Sequence, residues 1–206
     1  MFTGIVTAIG RITEVRPVAQ GGQDAGVKLS IHAPGFLRED SKLGDSIAIQ
    51  GACMTVVALQ KDGFEVDVSR ESLNRTVGLG EPGEVNLEHA MRLGDTIDGH
   101  IVSGHVDGTG EVTAFEPVGE SWNLRIRVAH ELGRYMAYKG SVTVNGVSLT
   151  VNAVNDSSEG CEIGINLIPH TVQVTTLKNL QPGAGVNIEV DMIARYCERL
   201  LGARAT

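Results

Sequence analysis

The second half of this chain repeats the first, and the repeat restricts the possible folds more than any other feature of the sequence. GIVTAIGRIT, starting at Gly4, aligns with GHVDGTGEVT, starting at Gly104. SIAIQGACMTVVA from Ser46 aligns with SVTVNGVSLTVNA from Ser141. DGFEVDVSRESL resembles EGCEIGINLIPHTV, and LGEPGEVNLE matches LQPGAGVNIE. Four matched blocks in the same order predict two units of similar fold, each of roughly 100 residues.

Both units have the pattern of short β-strands joined by tight turns. Apolar and β-branched residues run around a glycine at 47–57 in the first unit and at 142–151 in the second. Between such runs lie three predicted tight turns, at Asp62-Gly63, Asn145-Gly146 and Glu159-Gly160. Several short strands at this spacing predict a small sandwich or a barrel in each unit.

Helical signals are few, and the strongest lies at the end of the chain. Short helices are predicted near 33–39 and 130–138. The final segment, DMIARYCERLLGAR, places five apolar side chains on one stripe at helical spacing, namely Met192, Ile193, Tyr196, Leu200 and Leu201. The first unit has no counterpart of this segment. We therefore expect the stripe either to cover a barrel mouth or to pack against copies of itself.

Charge and cysteine content exclude several classes of function. With 17 basic and 25 acidic residues, the formal net charge is -8, which disfavours general nucleic-acid binding. No apolar run approaches the length of a membrane span, and the N-terminal residues lack the charged start of a signal peptide. Cys53, Cys161 and Cys197 have no zinc-site spacing, so we expect a reduced, cytoplasmic protein. Cys161 and Cys197 are predicted to be buried small hydrophobic residues.

The motifs, taken together and in order, resemble the riboflavin synthase family. They are MFTGIV, GACMTV, ESLNRT, GHIVSGHVDG, YKG, NGVSLTV, NLIPHT, TTL and VNIEVD, and they extend over about residues 1–203. The resemblance implies an all-β fold of two tandem six-stranded Greek-key β-barrels followed by a C-terminal α-helix. It places the first lumazine-binding barrel at 1–97, the second at 98–190 and a trimerisation helix at 191–206.

The resemblance also implies a reaction and an assembly. Two molecules of 6,7-dimethyl-8-ribityllumazine undergo dismutation, in which one gives a four-carbon unit to the other. The products are riboflavin and 5-amino-6-ribitylaminouracil, and no metal or organic cofactor is expected. The implied enzyme is a homotrimer whose active site lies between the first barrel of one subunit and the second barrel of its neighbour. An association with lumazine synthase is a further expectation.

The candidate ligand-binding residues lie in the repeated motifs, where small hydroxyl side chains and main-chain groups suit a flat polar heterocycle. In a strand, residues two apart share a face, so Cys53 with Thr55 and Ser148 with Thr150 are expected to point the same way. The segments 67–72 and 166–171 are expected to be extended and to present main-chain groups. The candidates are Phe2, Thr3, Gly4, Ile5, Val6, Ser46, Cys53, Met54, Thr55, Asp67, Val68, Ser69, Arg70, Glu71, Ser72, His100, Gly104, His105, Val106, Lys139, Ser148, Leu149, Thr150, Asn166, Leu167, Ile168, Pro169, His170, Thr171 and Asp191.

The candidate catalytic residues are His105, Cys53, Ser148 and Lys139. The reaction begins with loss of a proton from the 7-methyl group of the donor, so a general base is needed, and His105 is preferred over His100. Cys53 and Ser148 are expected to activate or orient water, or a substrate hydroxyl, at the acceptor. Lys139 either neutralises charge on a pyrimidine oxygen or is a solvated lysine.

Several of these assignments have a purely structural alternative. A lone histidine in a strand is often a satisfied structural group, and the small residues of the repeated motif also suit barrel packing. Asp191 either accepts from a ribityl hydroxyl or caps the last helix. Gly4 to Val6 and Gly104 to Val106 are expected in the first strand of each unit. An isolated first unit is expected to bind ligand through Gly4, Cys53, Thr55 and 67–72.

Two other functions compete with catalysis. One is a non-catalytic lumazine- or flavin-binding protein, like the antenna proteins of luminous bacteria, which tend to lose the polar motif of one barrel. Here Ser148, Thr150 and NLIPHT keep the second motif intact, which favours an enzyme. The other is the flavin-binding barrel of a reductase. That reading predicts a following nicotinamide-binding domain with a Gly-rich strand-to-helix turn, and these 206 residues contain none.

Overall fold

A computed structural model, which describes residues 1–18 and 25–202, shows two closed β-barrels in tandem. All strand pairs are antiparallel, and the strands of the first barrel are β1 (Ala8–Pro17), β2 (Val27–His32), β3 (Ser46–Ile49), β4 (Ala52–Gln60), β5 (Gly63–Val68) and β6 (Gly83–His89). Those of the second are β7 (Gly108–Val118), β8 (Ser121–Val128), β9 (Ser141–Val144), β10 (Val147–Ser157), β11 (Gly160–Leu167) and β12 (Gly185–Val190). The predicted fold class, two tandem six-stranded barrels, is confirmed.

The two barrels share strand order and irregularities. The first closes in the order β1-β2-β5-β4-β3-β6, and its counterparts in the second follow the same ring. β1 is bulged between Ile12 and Glu14, and β7 between Val112 and Ala114. β4 and β10 are bulged at corresponding points as well. Because bulges bend strands at defined places, the duplication extends to the curvature of each barrel.

The helices lie between strands and at the end of the chain. They are α1 (Arg70–Arg75), α2 (His130–Gly133), α3 (Pro169–Val174) and α4 (Met192–Gly202), with a 3-10 helix at Thr176–Asn179. The helix predicted near 33–39 is wrong, because Gly35 adopts a φ of 74° and turns the chain there. The helix predicted over 130–138 ends at Gly133. No helix among the described residues is long and apolar enough to cross a bilayer.

The turn predicted at Asn145-Gly146 is confirmed, and those predicted at Asp62-Gly63 and Glu159-Gly160 lie one residue earlier in the chain. Lys61 and Asp62 connect β4 to β5, and Ser158 and Glu159 connect β10 to β11. Asn145 and Gly146, with φ values of 49° and 81°, form the turn between β9 and β10. Positive φ at both positions matches the twist of the flanking strands.

Each barrel has its own apolar core, and a small third cluster lies between them. Strand residues such as Leu29 and Val66 fill the first barrel, and Ile126 and Ile163 fill the second. Phe2, which is fully buried, packs with Ala48 and Val102 in the third cluster. Cys161 lies in the second core as predicted, whereas Cys197 is exposed on α4, so its predicted burial is wrong.

Two buried asparagines join the barrels through reciprocal hydrogen bonds. Asn86 of β6 donates its amide to the carbonyl of Asn145 at 2.8 Å, and its side-chain oxygen accepts from the Thr176 amide at 2.7 Å. Asn187 of β12 donates to the carbonyl of Gln50 at 3.0 Å, and its oxygen accepts from the Val77 amide at 2.7 Å. These matched contacts relate the barrels by an approximate two-fold rotation.

Two turn glycines meet at the centre of this interface. Gly51 has a φ of 88°, and a β-carbon added to it lies only 2.7 Å from the Gly146 nitrogen. A β-carbon added to Gly146 lies 2.9 Å from the Gly51 nitrogen. The barrels therefore approach each other backbone to backbone. Residues 90–107 connect them, and the domain boundary expected between 97 and 98 falls in this connection and stays a prediction.

We expect Gly51→Ala to destabilise the protein more than Gly44→Ala. Both glycines have nearly the same positive φ, 88° and 89°, but Gly44 has open space where Gly51 meets backbone. The shared cost of a side chain at positive φ is about 1–2 kcal/mol, and only Gly51→Ala adds a collision between the barrels. Urea unfolding of both variants measures the difference. Equal losses would contradict the close approach.

Candidate functional site

The segment that precedes each barrel contacts the barrel of the other repeat. We call residues 1–7 the first leader and residues 99–107 the second leader. The Ser148 amide of β10 donates to the carbonyl of Gly4 at 2.8 Å, and the Cys53 amide of β4 donates to the carbonyl of Gly104 at 2.7 Å. The leaders also pair with each other, through reciprocal backbone hydrogen bonds between Phe2 and Val102.

The leaders lie outside the strands that they were expected to begin. β1 starts at Ala8 and β7 at Gly108. Gly4 and Gly104, with φ values of 76° and 77°, turn each leader toward the opposite barrel. A β-carbon at Gly4 would lie 2.7 Å from Ser148 Cβ, and one at Gly104 would lie 2.7 Å from Cys53 Cβ. Only glycine permits this contact.

A buried glutamate holds each leader in place. Glu88 accepts from the Thr3 amide at 2.7 Å, the Thr3 hydroxyl at 2.9 Å and the Gly4 amide at 3.1 Å. Glu189 accepts from the Ser103 amide at 2.7 Å, the Ser103 hydroxyl at 2.8 Å and the Gly104 amide at 3.0 Å. Burial raises the pKa of Glu88, and the hydrogen bonds from Thr3 and Gly4 oppose that shift. These glutamates were not among the predicted residues, although VNLE and VNIE end the two units.

A cavity of about 470 Å³ opens where the second leader crosses the first barrel. β4, α1, the second leader and α4 contribute its walls. Seven predicted residues line it, namely Cys53, Met54, Glu71, Ser72, Gly104, His105 and Val106. Five further residues, which sequence reasoning missed, complete the lining: Ala52, Arg75, Thr76, Asp107 and Arg195. We call this the first site.

Helix α1 forms one wall of the first site because its N-terminus is capped. The Ser69 hydroxyl accepts from the Ser72 amide at 3.0 Å, and Glu71 in the first turn pairs with Arg75 at 2.9 Å. The segment 67–72 was expected to be extended, and this is wrong beyond Ser69. The segment 166–171 likewise enters α3, which has Pro169 in its first turn.

An ion pair links α4 to the rim of the first site. Arg195 contacts the Asp107 carboxylate with both terminal nitrogens, at 2.8 and 2.9 Å. Asp107 also accepts from the Val190 amide at 2.8 Å, so the backbone of β12 holds the carboxylate in position for the guanidinium. Both side chains line the cavity. The only sequence signal for this contact was the polar face of the last helix.

The equivalent second site lies where the first leader crosses the second barrel. Ser148 and Leu149 of β10 correspond to Cys53 and Met54, and Gly4 lies against Ser148 as Gly104 lies against Cys53. By the same correspondence, the further residues expected around it are Ile5, Val6, His170, Thr171, Val174 and Thr175. Ile168, at the N-cap of α3, corresponds to Ser69, which does not line the first site. Gly4 therefore belongs with Ser148, and its predicted grouping with Cys53 and Thr55 is wrong, since each leader crosses to the other barrel.

The Ser148 hydroxyl is hydrogen-bonded to a histidine of the second leader. His100 Nδ1 lies 2.7 Å from Ser148 Oγ, and His100 Nε2 lies 3.3 Å from the hydroxyl of Thr143. Burial lowers the pKa of His100, and the carboxylates of Asp191 and Glu189 oppose the shift. In the part of the chain that the structure describes, no hydrogen bond connects the Cys53 thiol to another group.

The remaining predicted residues have other surroundings. Lys139, exposed with a φ of 64°, donates to Asn152 at 2.8 Å and lies over the Tyr138 ring. Asp191 accepts from the Ile193 amide at 2.8 Å, so it caps α4.

The other predicted residues are distributed over core, surface and strand ends. Phe2, Val68 and Leu167 are buried in the core, and Thr3 is held by Glu88. Thr55 and Thr150 are exposed on the strand faces of Cys53 and Ser148, as predicted, and Ser46 pairs with Thr55. Asp67 pairs with Lys28, Arg70 donates to the carbonyl of Ala25, and Asn166 lines a separate surface hollow.

The described residues contain no group of three or more histidine, cysteine, aspartate or glutamate side chains that could hold a metal ion. The first site offers two hydroxyls, a thiol, an imidazole and two ion pairs around a partly apolar cavity. Such a lining suits an uncharged polar heterocycle with hydroxyl groups.

Comparison with known proteins assigns the family. The profile of the lumazine binding domain matches residues 3–90 and 103–191. The riboflavin synthase of Photobacterium phosphoreum is 44% identical over 203 residues, covering 98% of this chain and 89% of that protein. The riboflavin synthase of Mycobacterium tuberculosis H37Rv is 44% identical over 206 residues, covering 98% of both. The crystal structure of LumP complexed with 6,7-dimethyl-8-(1'-D-ribityl) lumazine matches with a TM-score of 0.78 at 23% identity, covering 92% of this chain and 99% of that one.

We expect Glu189→Gln to destabilise the protein by about 1–3 kcal/mol, because the amide group turns a donor toward the backbone N–H groups that the carboxylate accepts from. Urea unfolding at neutral pH measures the change. Glu111→Gln, on the exposed face of β7, is the matched control and should change stability by less than about 0.5 kcal/mol. Similar effects of the two substitutions would contradict a role of Glu189 in holding the second leader.

Proposed function

This chain belongs to the riboflavin synthase family, and we propose that it converts two molecules of 6,7-dimethyl-8-ribityllumazine to riboflavin and 5-amino-6-ribitylaminouracil. The observation that carries the proposal is the duplicated site. Each repeat supplies a strand motif, Cys53-Met54-Thr55 or Ser148-Leu149-Thr150, and the leader of the other repeat lies across it. A reaction between two copies of one substrate requires two binding sites of the same general form.

The chemistry explains why placement is the main task of the protein. The heterocycle of the donor stabilises the carbanion left when its 7-methyl group loses a proton. Holding two rings face to face then lowers the barrier by several kcal/mol, through proximity and orientation. Each chain carries one site on each barrel, and we propose that the first barrel of one subunit faces the second barrel of its neighbour.

We propose His105 as the general base in the first site. Its side chain is exposed to the cavity, and Gly104 beside it is fixed by Glu189 and by the backbone of Cys53. Cys53 and Ser148 are the proposed polar contacts to substrate. Lys139 donates a hydrogen bond to Asn152 on the surface of the second barrel, and it would reach substrate only by giving up that bond.

We also propose that α4 joins three chains. Four apolar side chains of this helix, Ile193, Tyr196, Leu200 and Leu201, are each more than 60% exposed. A stripe of this size on an otherwise charged helix is typical of a helix that packs against a partner. Association with lumazine synthase and a cytoplasmic location remain predictions.

A ligand carrier is the second candidate, because the LumP complex matches almost the whole chain in fold. At 23% identity that match supports the fold alone. The relatives named riboflavin synthase are 44% identical, and this chain retains polar strand motifs on both barrels. Optical absorption separates the two: a carrier retains one tightly bound chromophore per chain, whereas the enzyme consumes lumazine.

We expect the purified protein to form one riboflavin from every two molecules of 6,7-dimethyl-8-ribityllumazine, with no nucleotide or metal added. Chromatography with absorbance detection measures substrate and both products. Activity that disappears with a chelator and returns with zinc would contradict the metal-free mechanism. Stable binding of lumazine without any turnover would support the carrier.

We expect removal of 192–206 to change a trimer into monomers or dimers and to abolish most activity. The reason is that each proposed site needs two subunits, while all twelve described strands of the two barrels lie outside the removed segment. Sedimentation velocity measures the assembly state, and Arg199→Gln, on the same helix but outside the apolar stripe, is the control. A truncated chain that still sediments as a trimer would show that barrel contacts are sufficient.

A further inference from the structure

The His100 side chain lies between two hydroxyl groups that come from adjacent strands. Ser148 of β10 and Thr143 of β9 are paired across the ladder, so their side chains lie on one face. Nδ1 is 2.7 Å from Ser148 Oγ, and Nε2 is 3.3 Å from Thr143 Oγ1. Both nitrogens therefore have a partner, and the ring has one orientation.

The backbone around His100 fixes this arrangement. The His100 amide donates to the carbonyl of Thr3 at 3.1 Å, and Ser148 is held by Gly4 through its own amide. Gly99 lies so close that an added β-carbon would be 2.1 Å from the Thr3 carbonyl oxygen and 2.9 Å from Ser148 Oγ. The backbone at Gly99 therefore packs so closely against Thr3 and Ser148 that no side chain fits at this position.

The first barrel does not have this arrangement. At the register positions of Thr143 and Ser148 it carries Ala48 and Cys53, which face each other across β3 and β4 in the same way. Ala48 offers no hydrogen bond, and a thiol is a weak donor and acceptor. The backbone of the two sites is duplicated, but at this register position the second site has a hydrogen-bonded hydroxyl and the first has a thiol.

The charge state of the ring determines how the Ser148 hydroxyl is oriented. In the neutral tautomer with its proton on Nε2, the ring donates to Thr143 and accepts the Ser148 hydroxyl proton at Nδ1, which leaves the Ser148 oxygen open to the substrate. Protonation makes both nitrogens donors, so Ser148 Oγ then accepts from Nδ1 and its proton is no longer held by the ring. Burial lowers the pKa of His100, against the carboxylates of Asp191 and Glu189, which are the charged groups that face it. The lowered pKa favours the neutral form of the ring.

We propose that His100 is a positioning residue for Ser148: together with Thr143, it accepts the Ser148 hydroxyl proton and so directs the Ser148 oxygen toward the substrate, in the second site only. This rests on the proposed function, since Ser148 is the group that we place against lumazine there. The two sites then differ in chemistry: the first presents a thiol and the free imidazole of His105, and the second presents a hydroxyl whose proton is directed by a neutral histidine.

The test is the pH dependence of kcat and KM for riboflavin formation in the full-length chain. Wild type should lose kcat as the pH falls through the lowered pKa of His100. In His100→Asn, the amide replaces Nδ1 and does not titrate, so activity should persist at neutral pH and the loss at acidic pH should become smaller, the remainder belonging to the proposed general base. His100→Gln, whose amide reaches only the Nε2 position, should lower kcat by about tenfold or more with little change in KM.

Two controls separate positioning from a general loss of structure. Ser148→Ala and Ser148→Ala/His100→Gln should have equal kcat, because His100 acts only through Ser148. His130→Asn, at an exposed histidine that begins α2 outside both sites, should keep the full loss at acidic pH. Two results would overturn the proposal. One is a loss of kcat at acidic pH in His100→Asn that equals the loss in wild type. The other is a double variant whose fold-decrease in kcat is the product of those of His100→Gln and Ser148→Ala.

An activity-free measurement distinguishes this proposal from the proposed function. The pH midpoint at which the NMR signals of the His100 ring titrate should differ between wild type and Ser148→Ala. If wild type forms no riboflavin while this difference is present, the proposed function fails, and the role in catalysis fails with it. If wild type is active and the ring titrates identically in both proteins, only the positioning role is wrong.

Discussion

The reciprocal hydrogen bonds of Asn86 and Asn187 hold the two barrels in a single orientation, and the rest of the structure depends on them. Each amide is almost completely buried and satisfies main-chain groups of the other repeat. A buried amide that loses its partners costs about 1–3 kcal/mol, so other orientations of the barrels are disfavoured. The contact of Gly51 with Gly146 then sets the distance.

This orientation makes the two sites depend on each other. Glu88 and Glu189 anchor each leader to its own barrel, while Gly4 and Gly104 lie against the strands of the opposite one. Every site therefore combines residues of both repeats. A single repeat would keep its strand motif and lose the leader that covers it, which explains why the chain is organised as a tandem pair rather than as two separable modules.

The sequence predicts the barrels well because its repeat, turns and alternating strands act locally. It predicts neither the crossing of the leaders nor the glutamates that hold them, since these contacts join residues more than 50 positions apart. Gly4 was therefore assigned to the wrong site. The motif at 67–72 was expected to be extended because a Ser69 helix cap resembles an ordinary polar strand end. Arg195 was missed because nothing local connects the last helix to the cavity.

The differences between the repeats explain how two like sites handle one substrate in two ways. Dismutation needs one lumazine to give a four-carbon unit and the other to accept it, so two identical sites would not distinguish the roles. The second leader carries two histidines on one backbone: His105 faces the cavity beside Cys53, and His100 bonds Ser148 on the other barrel. The first leader has Ile5 where the second has His105. Two sites with the same backbone arrangement and different side chains are what such a reaction requires.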